Sequence, residues 1–344
     1  MKPLLQALHQ HLPRVWQGRG PVACLLWPLS VFYGLLLGLR GMLYRLGLRQ
    51  SERVPALVVV VGNVVAGGAG KTPLTIALAH HLCQRGLAVG VVSRGYGRRS
   101  QEILAVQPDS DAVEVGDEPL LIRRATGVPV WVGHQRAAAA RALLQAHPEV
   151  RVVLCDDGLQ HRALARDIEI CILDERGIGN GWLLPAGPLR EHWPRHTDLL
   201  LGCDAPRGMT PFTALRELAD MAQDAQGRPC SLSALAAQPV DALAGIARPE
   251  RFFGMLRARG LQLQETLAMA DHADFSHWQA RSTGRALLCT EKDAVKLWRR
   301  QPDALAVGMT LAPEPAFFKA LDALLDQHAA RLRPVSSDHG QQTA

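Results

Sequence analysis

The sequence predicts an α/β fold: a doubly wound parallel sheet, a second and smaller unit of the same kind, and a separate apolar helix at the N-terminus. Short apolar runs typical of buried strands alternate with helix-like segments along most of the chain. At 344 residues the chain is long enough for two domains. We therefore expect an arm at 1–50, a first domain at 51–200, a second domain at 201–335 and a disordered tail at 336–344.

The arm contains an uncharged run of twenty residues, 20–39, between Arg19 and Arg40. As a helix rising about 1.5 Å per residue, this run just reaches across a hydrocarbon core of roughly 30 Å. Pro28 and two glycines weaken a straight helix, so a helix lying in the membrane surface fits as well. No cleavage site of the A-x-A kind follows, which disfavours a signal peptide. The pattern predicts membrane association and leaves the orientation open.

Charge is concentrated in the same arm. The chain has 38 basic and 32 acidic side chains, and seven basic residues but one acid lie in 1–53, so the rest of the chain is balanced. A nucleic-acid-binding protein more often carries a basic face on its folded domain. We therefore expect no nucleic-acid partner, and the basic residues instead favour an anionic membrane surface.

The seven cysteines are dispersed, odd in number and never paired as CxxC. Several lie in strand-like apolar runs, where buried free thiols are common. This distribution predicts free thiols in a reducing compartment rather than disulfides or a zinc site.

The strand and helix candidates divide into two series. In the first, strands are expected at 56–61, 88–93, 128–133, 150–156 and 168–174, with helices at 74–82 and 136–147. In the second, strands at 197–204, 241–247 and 285–290 alternate with helices at 249–260 and 314–332. The polar stretch 220–240 is expected to be loop-like.

A glycine cluster, 67-GGAGKT-72, lies between the first strand and the first helix. Backbone N–H groups unobstructed by Cβ atoms, at a helix N-terminus, bind phosphate. In a P-loop, Lys71 would reach the β- and γ-phosphates and the Thr72 hydroxyl would bind Mg²⁺. The first glycine of G-x-x-x-x-G-K-[ST] is replaced by Val65, and we expect the glycine pair at 67 and 68 to supply the flexibility. The motif predicts a P-loop NTPase-like fold that binds a nucleoside triphosphate.

The strand at 150–156 ends in two acids, Asp156 and Asp157. A carboxylate at this position in P-loop proteins holds Mg²⁺ directly or through water. The nearest match to the guanine-reading N-K-x-D is 290-TEKD-293, where Lys292 stands one place too late, which favours ATP over GTP. The simplest interpretation of that segment is a helix capped by Thr290.

Three loop segments have no evident packing purpose: 93-SRGYGR-98, 116-GDEP-119 and 179-GNGWLLPAGPLRE-191. Each is expected near the carboxyl edge of the first sheet, where such folds bind ligands. Arginines and glycines in the first segment suit an anion, whereas the acids of the second could simply cap a helix.

Taken in order, the apolar arm, GNVVAGGAGKTP, SRGYGR, GDEP, DDGLQH, GNGWLLPAGPLRE, DHADF and TEKDAVKL resemble the tetraacyldisaccharide 4'-kinase family of lipid A biosynthesis. The resemblance spans roughly residues 15–330. It implies a P-loop kinase with two Rossmann-like domains that hinge around ATP. The implied reaction is Mg²⁺-dependent phosphorylation of the 4'-hydroxyl of an acylated glucosamine disaccharide, on the cytoplasmic face of the bacterial inner membrane. No obligatory protein partner is implied.

The resemblance also implies roles for individual residues. Asp117 would be the base that faces the sugar hydroxyl, paired with His272, beside which the family often has a second histidine where this chain has Ala273. Arg190 and Glu191 would contribute to the phosphate and metal environment, and the segment 93-SRGYGR-98 could engage the phosphate already on the lipid. The other implied site residues are Lys71, Asp156 and Asp157 for transition-state charge, Thr72, Asp156, Asp157 and Glu191 for metal, and Val65, Ala66, Gly67, Gly68, Ala69, Gly70, Lys71 and Thr72 for the triphosphate.

One alternative from a different class is a membrane-docked P-loop ATPase or GTPase that acts as a switch or chaperone. It would bind partners in a nucleotide-dependent way and form no phosphorylated lipid. A non-catalytic adaptor is disfavoured by the intact Lys71–Thr72 pair and the paired acids.

Overall fold

The computed structural model describes residues 12–271, 273, 275–280 and 284–328. Two predictions, the partner histidine His272 and the tail at 336–344, lie outside these residues. All seven cysteines lie within them and are free thiols, as predicted.

Within the described residues the strands form one thirteen-stranded mixed sheet. In chain order they are β1 Leu57–Gly62, β2 Val89–Ser93, β3 Leu104–Val106, β4 Val130–Val132, β5 Val152–Asp156, β6 Ile168–Asp174, β7 Leu199–Cys203, β8 Phe212–Gln223, β9 Pro229–Ser231, β10 Pro239–Ala244, β11 Gln262–Ala268, β12 Leu287–Thr290 and β13 Leu305–Pro313. The spatial order is β11-β10-β12-β13-β8-β7-β6-β1-β5-β2-β4-β3, with β9 on β8.

The helices are interleaved with these strands as an α/β fold requires. They are α1 Pro21–Arg45, α2 Lys71–Gln84, α3 Ala112–Val115, α4 Asp117–Thr126, α5 Arg136–Ala146, α6 Leu232–Leu235, α7 Pro249–Ala258, α8 Glu291–Leu297 and α9 Pro315–Gln327. A short 3₁₀ helix covers Phe275–His277.

The sheet consists of two parallel blocks. The strands from β7 to β4 in the spatial order run parallel, and so do β11, β10, β12 and β13. Antiparallel pairing of β8 with β13 joins the blocks, and β8 also pairs in parallel with β7. The predicted strand series therefore both contribute to one hydrogen-bonded sheet. The division into domains near residue 200 stays a prediction.

Both faces of the first block are covered. Leu57, Val59 and Val61 of β1 belong to a cluster with α2 and α9 on one face. Val58 and Val60 belong to a second cluster with α5 on the other face. Because side chains alternate along a strand, a strand buried on both sides must be apolar at every position. The continuous run in β1 meets this requirement, and the doubly wound architecture is confirmed.

The prediction of a loop over 220–240 was wrong. The stretch holds the end of β8, all of β9 and the short helix α6. In β8 the buried residues are Ala214, Leu218 and Ala222, one in every four. Two of them are small, and polar side chains fill half of the positions between them, so the segment has no apolar run and no strand period. Its conformation is fixed by pairing with β13, which was also not predicted.

The arm helix α1 lies against the body of the protein. The Ser30 hydroxyl donates to Leu183 O at 2.8 Å and accepts from Ala186 N at 2.9 Å. The Tyr33 hydroxyl donates to Arg190 O at 2.9 Å. About two turns further along the helix, Arg40 donates to the carbonyl of residue 160 at 2.9 Å. These bonds fix one face of α1 to two loops.

The opposite face of α1 is apolar and exposed. Its exposed residues include Val22, Leu25, Trp27, Leu29, Val31, Phe32, Leu35, Leu36, Leu39 and Met42. In the part of the chain that the structure describes, α1 is the one helix long and apolar enough to cross a bilayer, with a mean hydropathy of 2.0. This supports the prediction of membrane association only weakly, because length and composition are its whole basis.

The predicted cap at Thr290 is confirmed. Its hydroxyl accepts from Asp293 N at 3.2 Å and donates to the Asp293 carboxylate at 2.6 Å. The same carboxylate accepts from Gly245 N at 2.9 Å, just beyond β10. The cap therefore fastens α8 to the second parallel block.

Replacing Thr290 with Ala should lower the free energy of unfolding by about 1–2 kcal/mol, because a buried helix N–H loses its acceptor. Denaturant unfolding followed by circular dichroism would measure the change. Thr290→Ser keeps the hydroxyl and is the matched control, which should retain most of the stability. Equal losses in the two variants would contradict the capping role.

Candidate active site

The glycine cluster forms the turn between β1 and α2, as predicted. Gly67 and Gly70 have φ angles of 96° and 95°, which side-chain-bearing residues rarely adopt. Gly70 is the N-cap of α2, and among the described residues no side chain caps this helix end. The N–H groups of its first turn are therefore oriented for an anion.

Val65 replaces the first glycine of the motif because this part of the turn is extended. Val65 forms an antiparallel bridge with Leu189. On either side of it, Ala66 N donates to Pro188 O at 2.8 Å and Arg190 N donates to Val64 O at 2.7 Å. A β-branched residue suits such pairing, and no left-handed conformation is needed. Of the glycine pair predicted to supply the flexibility, Gly67 has a positive φ and Gly68 does not, and the second positive φ of the turn is at Gly70.

The same pairing positions Arg190 beside the nucleotide turn. Its guanidinium donates to Asp157 at 2.8 Å, and Lys71 Nζ lies 3.7 Å from the same carboxylate oxygen. Burial raises the pKa of Asp157, but the charges of Lys71 and Arg190 outweigh it, and the net shift is downward. Asp157 stays ionised and holds two cations at the end of β5.

Asp156 is buried and bonded to hydroxyl groups. The side chains of Thr75 and Ser93 donate to its two oxygens at 3.1 and 3.5 Å. Burial, followed by repulsion from Glu118 and Asp157, raises its pKa to about 7. Glu118 was missed as a site residue because the family resemblance assigned a role to Asp117 of GDEP and none to its neighbour. Glu118 lies in α4, and its charge contributes to raising the pKa of Asp156 at the end of β5.

Oxygen donors for a divalent cation are present at this edge. Thr72 is 8% exposed and Asp156 is 1% exposed. Mg²⁺ prefers hard oxygen ligands. A buried carboxylate with a raised pKa has too little positive charge beside it to favour its ionised form, and a bound cation would supply that charge. The donor set therefore fits Mg²⁺ together with triphosphate oxygens. In the described residues no three His, Cys, Asp or Glu side chains form a complete protein metal site.

Glu191, which was expected near the metal, instead forms an ion pair with Arg195. Its carboxylate accepts from Arg195 at 3.0 Å and from Gln160 at 2.7 Å. Arg195 in turn pairs with Glu169, which also pairs with Arg166. A metal role for Glu191 would require it to leave or share Arg195.

Asp117, the expected base, is the first residue of α4 and is 3% exposed. Lys296 Nζ donates to its carboxylate at 3.2 Å. Lys292 Nζ lies 3.7 Å from Glu118 and 3.0 Å from Asp271. The two lysines stand four apart on α8 and so share one helix face. Neither lysine was predicted as a site residue, although their spacing in TEKDAVKL was the available signal.

A second group of cations surrounds His161. Burial, and then the charges of Arg136, Arg166, Arg40 and Arg94, lower its pKa to about 4. Within the described chain, His161 Nε2, Arg136 Nε and Arg40 Nε are buried without a hydrogen-bond partner. Buried polar atoms in folded proteins are nearly always paired. The group therefore has the character of an anion-binding site.

This cationic group adjoins the carboxylates. Arg136 Nη2 donates to Asp157 O at 3.4 Å. The segment 93–98, which contains Arg94, was predicted to bind an anion, whereas Arg136 and His161 were not singled out. His161 ends the DDGLQH motif, so its position close to the paired acids could have indicated it.

Comparisons with known proteins identify one family. The sequence model of the family described as tetraacyldisaccharide-1-P 4'-kinase, LpxK, matches residues 22–328. A tetraacyldisaccharide 4'-kinase of Acidovorax sp. (strain JS42) is 56% identical over 321 residues, covering 92% of this chain and 95% of the relative. That of Polaromonas naphthalenivorans (strain CJ2) is 55% identical over 346 residues, covering 98% and 100%.

A solved structure is similar over nearly its whole length. The crystal structure of LpxK from Aquifex aeolicus in complex with ATP matches with a TM-score of 0.77 and 28% identity, covering 89% of this chain and 99% of that one. The P-loop, the paired acids and these similarities lead to one conclusion: the chain belongs to the tetraacyldisaccharide 4'-kinase family.

Proposed function

We propose that the protein transfers the γ-phosphate of ATP to the 4'-hydroxyl of a tetraacylated glucosamine disaccharide 1-phosphate, forming the lipid A precursor lipid IVA. The observation that carries the proposal is the meeting of Lys71 and Arg190 at the carboxylate of Asp157, beside the phosphate-binding turn. Family membership supplies the acceptor.

Phosphoryl transfer depends mainly on positioning and on stabilising the charge of the transferred group. The turn from Val65 to Thr72 would surround the triphosphate. Lys71 and Arg190 are preorganised by Asp157, and their positive charges would stabilise the equatorial oxygens of the γ-phosphate. The loop that carries Arg190 is hydrogen-bonded to the first part of the turn that ends at Lys71, so little reorganisation is required.

Asp117 is our candidate for the general base. A sugar hydroxyl is a poor nucleophile near neutral pH, and a carboxylate within hydrogen-bond reach accepts its proton as the bond to phosphorus forms. The ammonium of Lys296, 3.2 Å away, holds this carboxylate in position. The assignment of His272 as partner rests on the family resemblance, since that residue lies outside the described part of the chain.

Mg²⁺ would be held by Thr72, Asp156 and Asp157 together with phosphate oxygens, with Glu191 available after release from Arg195. When bound, the metal neutralises charge on the β- and γ-phosphates. A cation beside Asp156 would also favour its ionised form. The cost of burying this carboxylate is therefore consistent with a metal role.

The cationic group around His161 suits the phosphate that the lipid already carries. Its unpartnered nitrogens can donate to phosphate oxygens, and Arg94 and Arg136 supply charge. The site adjoins Asp157 through Arg136. We propose that it orients the disaccharide with the 1-phosphate in this group.

The apolar face of α1 would bring the enzyme to its substrate at the cytoplasmic face of the inner membrane. A lipid with several acyl chains hardly leaves the bilayer, because each buried CH₂ contributes about 0.8 kcal/mol. Ser30, Tyr33 and Arg40 bind α1 to charged loops over much of its length. A spanning orientation would draw those loops into the hydrocarbon, so we propose that α1 lies in the interface.

Replacing Asp117 with Asn should reduce lipid phosphorylation by at least about 100-fold, because the amide cannot accept the proton. The equilibrium dissociation constant for ATP should stay within about threefold of the parent, since the P-loop is untouched. Transfer of labelled phosphate from ATP to the acylated disaccharide, resolved by chromatography, measures the reaction. Asp109→Asn, an exposed position, is the matched control. Near-normal turnover would reject the base assignment, and ATP hydrolysis without lipid product would favour a switch or chaperone.

Asp156→Asn should stabilise the protein in a pH-dependent manner. The pKa of Asp156 is about 7 in the folded protein against an ordinary 3.8. Between these two pH values the folded protein keeps a proton on Asp156 that the unfolded chain has released. Its free energy of unfolding therefore falls as the pH rises from about 4 through about 7. Asparagine cannot ionise and still accepts from Thr75.

The Asp156→Asn variant should therefore exceed the parent in stability at about pH 8, and the difference should shrink towards about pH 4. Chemical denaturation without nucleotide or Mg²⁺ at several pH values measures it. Kinase activity should fall at least about 100-fold despite the added stability, because the carboxylate is lost. A stability difference that does not vary with pH would exclude the assigned ionisation.

Membrane binding should depend on the exposed face of α1. Leu25, Phe32 and Leu35 are 80%, 61% and 68% exposed. Each such side chain contributes about 1.5–3 kcal/mol when fully removed from water, so replacing all three with Ser should weaken vesicle binding by at least about 100-fold. Cosedimentation with anionic phospholipid vesicles would measure it. Leu215→Ser, 64% exposed on β8, is the control, and unchanged binding of the triple variant would locate the membrane contact elsewhere.

A further inference from the structure

Arg176 follows β6 by two residues and extends across the back of the phosphate-binding turn. Its Nη1 donates to Ala66 O at 2.7 Å and its Nη2 donates to Gly68 O at 3.2 Å. One guanidinium thus holds two carbonyls of the turn, two residues apart. No role in the reaction described above uses this side chain.

These carbonyl contacts fix the direction of the neighbouring N–H groups. In a planar trans peptide the C=O of one residue and the N–H of the next point in opposite directions. With the carbonyls of Ala66 and Gly68 turned to Arg176, the N–H groups of Gly67 and Ala69 are turned away from it. A phosphate-binding turn works through N–H groups fixed in this way.

Two other side chains hold the remaining carbonyls. Asn63 Nδ2 donates to Val65 O at 2.6 Å and to Gly67 O at 3.2 Å. Arg216 Nη2, from β8, donates to Ala69 O at 3.4 Å. The turn is therefore held at successive peptides, and Arg176 contributes two of the five contacts.

Arg176 is itself fixed by Asp174, the last residue of β6. Its Nε donates to the Asp174 carboxylate at 2.9 Å and its Nη2 lies 2.7 Å from the same oxygen. The Asp174 side chain is 1% exposed. Burial raises its pKa, but the hydrogen bond and charge of Arg176 outweigh this and shift it downward. A planar fork of five N–H groups can serve carboxylate and carbonyls at once, which a lysine cannot do.

The backbone approaches the arginine closely. A Cβ atom at Gly67 would lie 3.0 Å from Arg176 Nη1. The absence of a side chain at this position therefore permits the contact as well as the φ of 96°.

We propose that Arg176, held by Asp174, is a positioning residue for ATP: it orients the N–H groups of the phosphate-binding turn without touching the nucleotide. Its loss should weaken ATP binding while leaving the lipid site intact. The inference needs only ATP binding at this turn, and does not depend on the assignments of Asp117, His272 or Mg²⁺.

The test uses the full-length enzyme with Arg176→Gln, Arg176→Lys and Asp174→Asn. For Arg176→Gln the dissociation constant and KM for ATP should rise at least about tenfold, equivalent to about 1.4 kcal/mol. KM for the acylated disaccharide should stay within twofold. Arg176→Lys keeps the charge and should rescue part of the loss, and Asp174→Asn should give an intermediate effect. Arg207→Gln, an exposed arginine between β7 and β8, is the matched control.

A purely structural role predicts a different pattern. The thermal midpoint would fall, and both KM values and kcat would worsen together. That pattern, or an ATP dissociation constant within twofold of the parent in Arg176→Gln, would overturn the proposal. If Arg176→Gln fails to fold, the lysine variant decides: a severalfold rise in KM for ATP alone supports the role, and unchanged KM values overturn it.

Discussion

The active site depends on the main-chain pairing of residues 64–66 with residues 188–190. Through it the first part of the phosphate-binding turn becomes a short strand, and Arg190 is brought to Asp157 and Lys71. The same loop receives α1, because Ser30 binds to it and Tyr33 donates to the carbonyl of Arg190 itself. A continuous series of hydrogen bonds thus connects the apolar helix α1 with the nucleotide turn.

The acids of the site differ in how much positive charge lies beside them. Asp174 has Arg176, Asp157 has Lys71 and Arg190, and Asp117 has Lys296. Asp156 instead accepts from two hydroxyls and has a raised pKa. A site complete within the protein would have no reason to leave one carboxylate unmatched in this way. A ligand that carries a cation would supply the missing positive charge at Asp156. Without such a ligand, the buried carboxylate lowers the stability of the fold.

Sequence patterns predicted the parts of the fold that rest on local rules. The apolar run of β1, the glycines of the turn and the Thr290 cap each follow from propensity or local hydrogen bonding. The partner of Val65 could not be predicted, because pairing with Leu189 depends on where a distant loop lies. Lys296 likewise meets Asp117 across 179 positions. The conformation of β8 is set by its neighbours rather than by its own period.

The packing of α1 has a consequence for how far this segment can be exchanged. A generic hydrophobic anchor of equal length would hold the enzyme at a bilayer but would lack the hydroxyls that satisfy Leu183 O, Ala186 N and Arg190 O. Holding the enzyme at a bilayer and supporting the loop that carries Arg190 are therefore two separable roles of α1. One part of this helix contacts the protein and the rest is apolar and exposed, so substitutions should be tolerated more readily on the exposed part.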